Sequence, residues 1–222
     1  MIIAENIHKF YGNLHVLQGV DVAIEEGEIV AIVGKSGAGK TTLLHILGTL
    51  DRADKGKVMY NSNDLSTYND KQISAFRNEN IGFIFQFHHL LDEFTALENI
   101  SIPGYIAHKD ERQIEKRAME LLDYMGLTDR ATHKPKELSG GEQQRVAIAR
   151  SLINHPNIVL ADEPTGNLDT YTSETIHELL FQLRKDFNQT FVIVTHNTEL
   201  ADRCDRTLHM ADGLIIESLE GV

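Results

Sequence analysis

The stretch EIVAIVGKSGAGKTTLLHIL, residues 28–47, limits most severely what this chain can fold into. The apolar run 29–33 is of the kind buried on both faces of a parallel sheet. A glycine-rich turn and a helical pattern follow it directly. Gly34, Gly39, Lys40 and Thr41 fit the spacing G-x-x-x-x-G-K-[ST], with Lys35, Ser36, Gly37 and Ala38 inside the turn and Thr42 after it. Glycines let the backbone wrap a phosphate chain with its N–H groups turned inward, and the helix starting near Gly39 adds its positive end. Lys40 supplies a full charge near the β- and γ-phosphates, and the Thr41 hydroxyl suits Mg²⁺. An unliganded glycine turn is the plain alternative, but chance seldom places this spacing between a strand and a helix.

The rest of the chain alternates in the same manner. IIAENI, VDVAIE, KVMYN, IGFIF, NIVLAD, TFVIVT and RTLHMADGLII read as further strands. Helical patterns fall at about 40–48, 71–78, 111–125, 142–154, 172–186 and 197–202. Strand–helix–strand alternation predicts an α/β core with a mainly parallel sheet. Residues 87–155 interrupt it with no convincing strand, and 110–127 are amphipathic, with Ile114, Ala118, Leu121, Leu122 and Met125 at helical spacing. This stretch is predicted to be a helical insertion within a single domain spanning 1–222.

Composition sets outer bounds. No segment reaches the roughly 18–20 apolar residues of a membrane span, and no secretory leader is expected at the N-terminus. The single cysteine, Cys204, fits a reducing compartment. A net charge of −12 argues against nucleic acid or an anionic membrane surface as the main partner.

Two more strands end in chemistry. NIVLADEP delivers Asp162 and Glu163 at the carboxyl end of a buried strand, where open α/β sheets place their ligands. Asp162 suits a Mg²⁺ shell and Glu163 a general base polarising water. VIVTH repeats the design with His196. LSGGEQQR, residues 138–145, has Ser139 as a helix N-cap and Glu142 three positions on to complete a capping box. Gly140 and Gly141 between them bare N–H groups suited to an anion.

The phosphate loop (Walker A), LSGGEQQR, VLADE and the strand-end histidine, in this order, resemble the ATP-binding cassette (ABC) ATPases over nearly the whole chain. The resemblance implies a P-loop ATPase core with an N-terminal antiparallel β subdomain and an inserted helical subdomain. It implies ATP hydrolysis with Mg²⁺, catalysed through Lys40, Glu163 and His196, with Thr41, Asp162 and Gln86 at the metal. Tyr11 matches the ring that stacks on adenine, and Asp169 in GNLD matches a loop that crosses a dimer. Two copies would pair head to tail, with Ser139, Gly140, Gly141 and Glu142 of one closing over nucleotide on the Walker A loop of the other. That answers why one chain carries two phosphate grips.

A narrower resemblance, carried by FIFQFHHLLDEFTALENI and ADEPTGNLD, is to the ABC subgroup serving lipoprotein release, macrolide-type efflux and cell division, and is strongest for lipoprotein release. Gly166 and Asn167 replace the Ser-Ala of many relatives. The resemblance implies integral membrane permease partners, membrane contact through them alone, and a peripheral position on the cytoplasmic face of a bacterial inner membrane. Phe87, Leu90, Leu91 and Phe94 are either part of a groove for the permease or plain core. The adjacent His88 and His89 lack further ligands at metal spacing. With about 26 residues after His196, no added C-terminal regulatory domain is expected. Efflux, or division signalling without cargo, is the alternative function, and a small-molecule kinase would leave LSGGEQQR unexplained.

Overall fold

The computed structural model describes residues 1–216; residues 217–222, the end of the expected single domain, lie outside the described residues. The central sheet has six strands: β3 (Ile29–Val33), β6 (Ile81–Phe85), β7 (Ile158–Asp162), β8 (Thr190–Val194), β9 (Arg206–Ala211) and β10 (Leu214–Ile216). Their order is β10-β9-β3-β8-β7-β6, parallel throughout except for the β9–β10 hairpin. A second sheet, antiparallel, is built from β1 (Ile2–Tyr11), β2 (Leu14–Ile24), β4 (Lys55–Tyr60) and β5 (Asn63–Asp64). This is the mixed α/β architecture that the motifs imply, with its N-terminal antiparallel sheet.

The continuous apolar runs are explained by burial on both faces. In β8, Val192 and Val194 pack with α1 (Lys40–Leu47) and the antiparallel sheet, while Phe191 and Ile193 pack with helices on the opposite side. Leu160 and Val159 of β7 divide in the same way. Between β6 and β7 lie α3 (Ala96–Ile106), α4 (Glu111–Tyr124) and α5 (Gly140–Leu152), with no strand. α2 (Asp70–Asn80) precedes β6, and α6 (Thr170–Phe187) and α7 (Thr198–Asp202) flank β8.

Three features differ from the sequence reading. RTLHMADGLII, read as one strand, turns at Asp212 and Gly213 into the antiparallel pair β9 and β10. The β1–β2 hairpin is longer than IIAENI and VDVAIE and closes through Gly12 and Asn13, with Gly12 at φ 60° and Tyr11 facing Leu14. Helix α3 carries no clear apolar stripe and contains Pro103, so periodicity does not reveal it. Its start is nevertheless written in TALE: Thr95 caps the Glu98 amide, and the Glu98 carboxylate returns to Thr95.

β6 lies at the sheet edge and is pressed against α5. A Cβ on Gly82 would lie 2.5 Å from the Ser151 carbonyl oxygen, a backbone atom that cannot step aside. Gly82→Ala is expected to lower unfolding free energy by about 1–3 kcal/mol in a urea titration.

Candidate functional site

The phosphate loop takes its shape from glycines in left-handed backbone: Gly37 at φ 80° and Gly39, the N-cap of α1, at φ 101°. Lys40 folds back over the loop, donating to the carbonyls of Gly34 at 2.8 Å and Lys35 at 3.0 Å. Ala38 is buried, and its carbonyl accepts from the Gly213 amide, pinning the loop to the β9–β10 turn.

Asp162, at the end of β7, reaches the same place. Its two carboxylate oxygens lie 3.1 and 3.3 Å from the Thr41 hydroxyl, and burial pushes its pKa above the usual carboxylate range. Oxygen donors around a half-buried carboxylate suit a hard divalent cation such as Mg²⁺. Glu163 adopts φ 46°, rare for a residue with a Cβ, and its amide donates to the Val194 carbonyl. Its carboxylate then sits 2.9 Å from Nδ1 of His196, which follows β8. Tyr11, Gly34, Ser36, Gly37, Gly39, Lys40, Thr41, Thr42, Asp162, Glu163 and His196 together line an open cleft of about 630 Å³.

Ser139, Gly140 and Gly141 lie elsewhere. They line a second cleft of about 500 Å³ with Arg145, Asn167, Leu168, Asp169 and Tyr171, and the two clefts share no lining residue. The capping box forms: Ser139 Oγ accepts from the Glu142 amide at 3.3 Å, and Glu142 accepts from the Ser139 amide at 2.7 Å. Arg130, 3.1 Å away, also engages the Glu142 carboxylate, which is turned inward to the cap. Asp169 caps α6, accepting from the Thr172 amide and hydroxyl.

Gln86 does not line the phosphate cleft. Its side chain donates to Asn167 Oδ1 at 3.0 Å, and Asn167 donates back to the Gln86 carbonyl at 3.1 Å. Gly166 makes room for this exchange, since a Cβ there would lie 2.9 Å from Gln86 Nε2. The Gly166–Asn167 departure noted in the sequence thus has a physical reason. Three further residues were missed by sequence reasoning: two hold the loop after Asp162, and the third holds the segment after Gln86. Gln144 of α5 donates to the Pro164 carbonyl, and His177 of α6 is 3.1 Å from the Thr165 hydroxyl. Arg150, also of α5, donates to the carbonyls of His88 and His89. Gln144 lay in view inside LSGGEQQR; Arg150 and His177 carried no signal in their own neighbourhoods.

Of the candidate groove residues, Phe87, Leu91 and Phe94 are exposed and Leu90 is half-buried against the core. Asn99 stiffens their loop through bonds to the backbone of Leu91, Phe94 and Thr95. A separate groove of about 430 Å³ runs beside β6, lined by Leu50, Phe83, Phe85, Pro103, Ile106 and Arg150 among others. Sequence reasoning did not find it, because its walls come from four separate stretches of chain.

The family model for "ABC transporter" matches residues 17–166. The chain belongs to the ABC transporter family. This cassette is an ABC-type ATPase and binds nucleotide. It is 60% identical over 97% of its length to the lipoprotein-releasing system ATP-binding protein LolD of Bacteroides thetaiotaomicron, covering 99% of that protein. To the LolD of Porphyromonas gingivalis it is 57% identical, with 97% of this chain and 98% of that protein covered. A solved dimeric ATP-binding cassette in a post-hydrolysis state, bound to ADP and Pi, superposes with TM-score 0.88 at 39% identity, each chain covered in full.

The Arg150 guanidinium is the only link from α5 to the carbonyls of His88 and His89 among the described hydrogen bonds. Arg150→Met should therefore raise amide hydrogen exchange across residues 88–91 by about tenfold while exchange in β7 stays unchanged.

Proposed function

We propose that this cassette is the ATP-hydrolysing subunit of a lipoprotein-releasing system. It would work peripherally at the cytoplasmic face of a bacterial inner membrane, beside integral membrane permease subunits. The observation that carries this reading is 57–60% identity over nearly the full length to relatives named LolD. Neither of those relatives carries an efflux or division name. Among the described residues no helix is long and apolar enough to cross a membrane, so contact with the bilayer is assigned to the permease.

In this reading the amides of residues 34–42 and the Lys40 ammonium bind the triphosphate, and Tyr11 faces the adenine. Thr41 and Asp162 would hold Mg²⁺, which when bound neutralises charge on the phosphate oxygens. Glu163 accepts the proton of the attacking water, and His196, 2.9 Å away, orients its carboxylate. The second cleft completes the site of another copy: Ser139, Gly140 and Gly141 present a helix N-terminus to the γ-phosphate held by the partner. Glu142 fixes that N-terminus through its capping box, and Asp169 contributes from the same cleft. Such pairing is isologous and gives two shared nucleotides. The groove beside β6, with the exposed Phe87, Leu91 and Phe94, is assigned to the permease. Gln86, at the end of β6, would then sense both the permease and the site.

Glu163→Gln is expected to cut hydrolysis by about 10²–10⁴-fold, the worth of a general base, while sparing ATP binding. It should also accumulate as a dimer in Mg·ATP by light scattering. Unchanged turnover would remove Glu163 from this role. Copurification with membrane partners, followed by ATP-dependent lipoprotein release from proteoliposomes, tests the cargo; release that continues without the cassette would overturn the assignment.

A further inference from the structure

The end of β1 is bound with unusual density to the turn after α1. The Lys9 ammonium lies 2.6 Å from Asp51 Oδ1 and donates to the Arg52 carbonyl at 2.7 Å. The Tyr11 hydroxyl donates to the other oxygen, Asp51 Oδ2, at 2.7 Å. Between them, the Phe10 amide donates to Asp54 Oδ2, and the Asp54 amide donates back to the His8 carbonyl. One carboxylate therefore grips an ammonium with one oxygen and a phenol with the other. Lys9 also stands over the Tyr11 ring, 5.3 Å from its centroid. Tyr11 nonetheless remains half exposed and lines the phosphate cleft.

These contacts have a geometric consequence. The ring is fixed at its hydroxyl end and covered on one face by a cation, so only its other face is offered to the cleft. The anchoring turn continues directly from α1, whose N-terminus forms the phosphate loop. The ring and the phosphate grip thus move as one body, at a separation set by helix α1 and residues 48–51. The phenol stays a donor, because the hydrogen bond to Asp51 raises its pKa.

We propose that Asp51 and Lys9 are positioning residues for nucleotide: they hold Tyr11 as a preset platform that stacks the base at a fixed distance from the phosphate loop. This rests on the reading of Tyr11 as the adenine-facing ring. It predicts that the clamp matters for ligands with a base and not for bare phosphate chains. Preorganisation of this kind affects affinity by removing the cost of ordering the ring on binding.

The test compares dissociation constants of the full chain for Mg·ATP and for magnesium tripolyphosphate, by calorimetry. Asp51→Ala and Lys9→Met should each weaken ATP by about three- to tenfold, a part of the worth of one base–aromatic stack, and change tripolyphosphate by less than about twofold. Asp51→Asn, which keeps an acceptor for Tyr11, should recover part of the loss. Tyr11→Phe should cost about as much as Asp51→Ala, and the double variant little more than either alone. Equal weakening of both ligands by Asp51→Ala would mean that Asp51 merely supports the loop, overturning the proposal. So would ATP affinity that is untouched by Asp51→Ala but lost in Tyr11→Ala. If Tyr11→Ala itself leaves ATP binding intact, the adenine reading fails instead. Should Asp51→Ala not fold, Tyr11→Phe and Asp51→Asn decide, and no loss of ATP affinity in Tyr11→Phe would overturn the clamp.

Discussion

In-register parallel pairing of β3, β8 and β7 is the constraint on which the site depends. Ile32 faces Val194, and Val194 faces Asp162 across the next pair. The three strands therefore end at one level, and the phosphate loop, the Asp162–Glu163 pair and His196 emerge side by side. Parallel strands need both faces covered. The antiparallel sheet with α1 supplies one cover, and helices α3 to α6 supply the other. Each strand alternates its side chains between these two cores. Slipping any strand by one residue would exchange its buried faces and carry its terminal side chains out of line.

The segment from Glu163 to Asp169 joins the two clefts, and its stiffness comes from outside itself. Gln144, His177 and Gln86 hold Pro164, Thr165 and Asn167 from three different elements. Glu163 keeps a left-handed backbone that would cost a free chain about 1 kcal/mol or more. The bonds on either side of it offset that cost, so its carboxylate is held at His196. A shift of α5 would pull on Pro164 through Gln144 and on residues 88–89 through Arg150. Gly140 and Gly141 begin that same helix. One helix therefore touches the second cleft, the turn that follows the acidic pair and the segment that leads into the exposed apolar loop.

Legibility in the sequence varied with how local the cause was. The phosphate loop, the capping box of Ser139 and Glu142, and the runs 158–162 and 190–194 depend on nearby residues, and they could be read directly. Helix α3 was hidden because its burial comes from several neighbours. Gly104, for example, has no room for a Cβ against Ile114. The far ends of β1 and β2 were hidden because a half-exposed hairpin with a bulge near Asn6 blurs the alternation. Gln86 could be picked by resemblance, but its bond to Asn167 could not.

By itself, the sequence determined the chemistry at each strand end, the glycines that free the phosphate loop and the cap that opens α5. Those follow from backbone sterics and hydrogen bonding within a few residues. Only the tertiary structure decided which of these groups meet. It set Thr41 against Asp162, Glu163 against His196 and Tyr11 against Asp51, and it kept Ser139 in a cleft of its own. Contacts between residues 33 to 121 positions apart arise from sheet register and two-sided burial, which no short stretch of chain encodes alone.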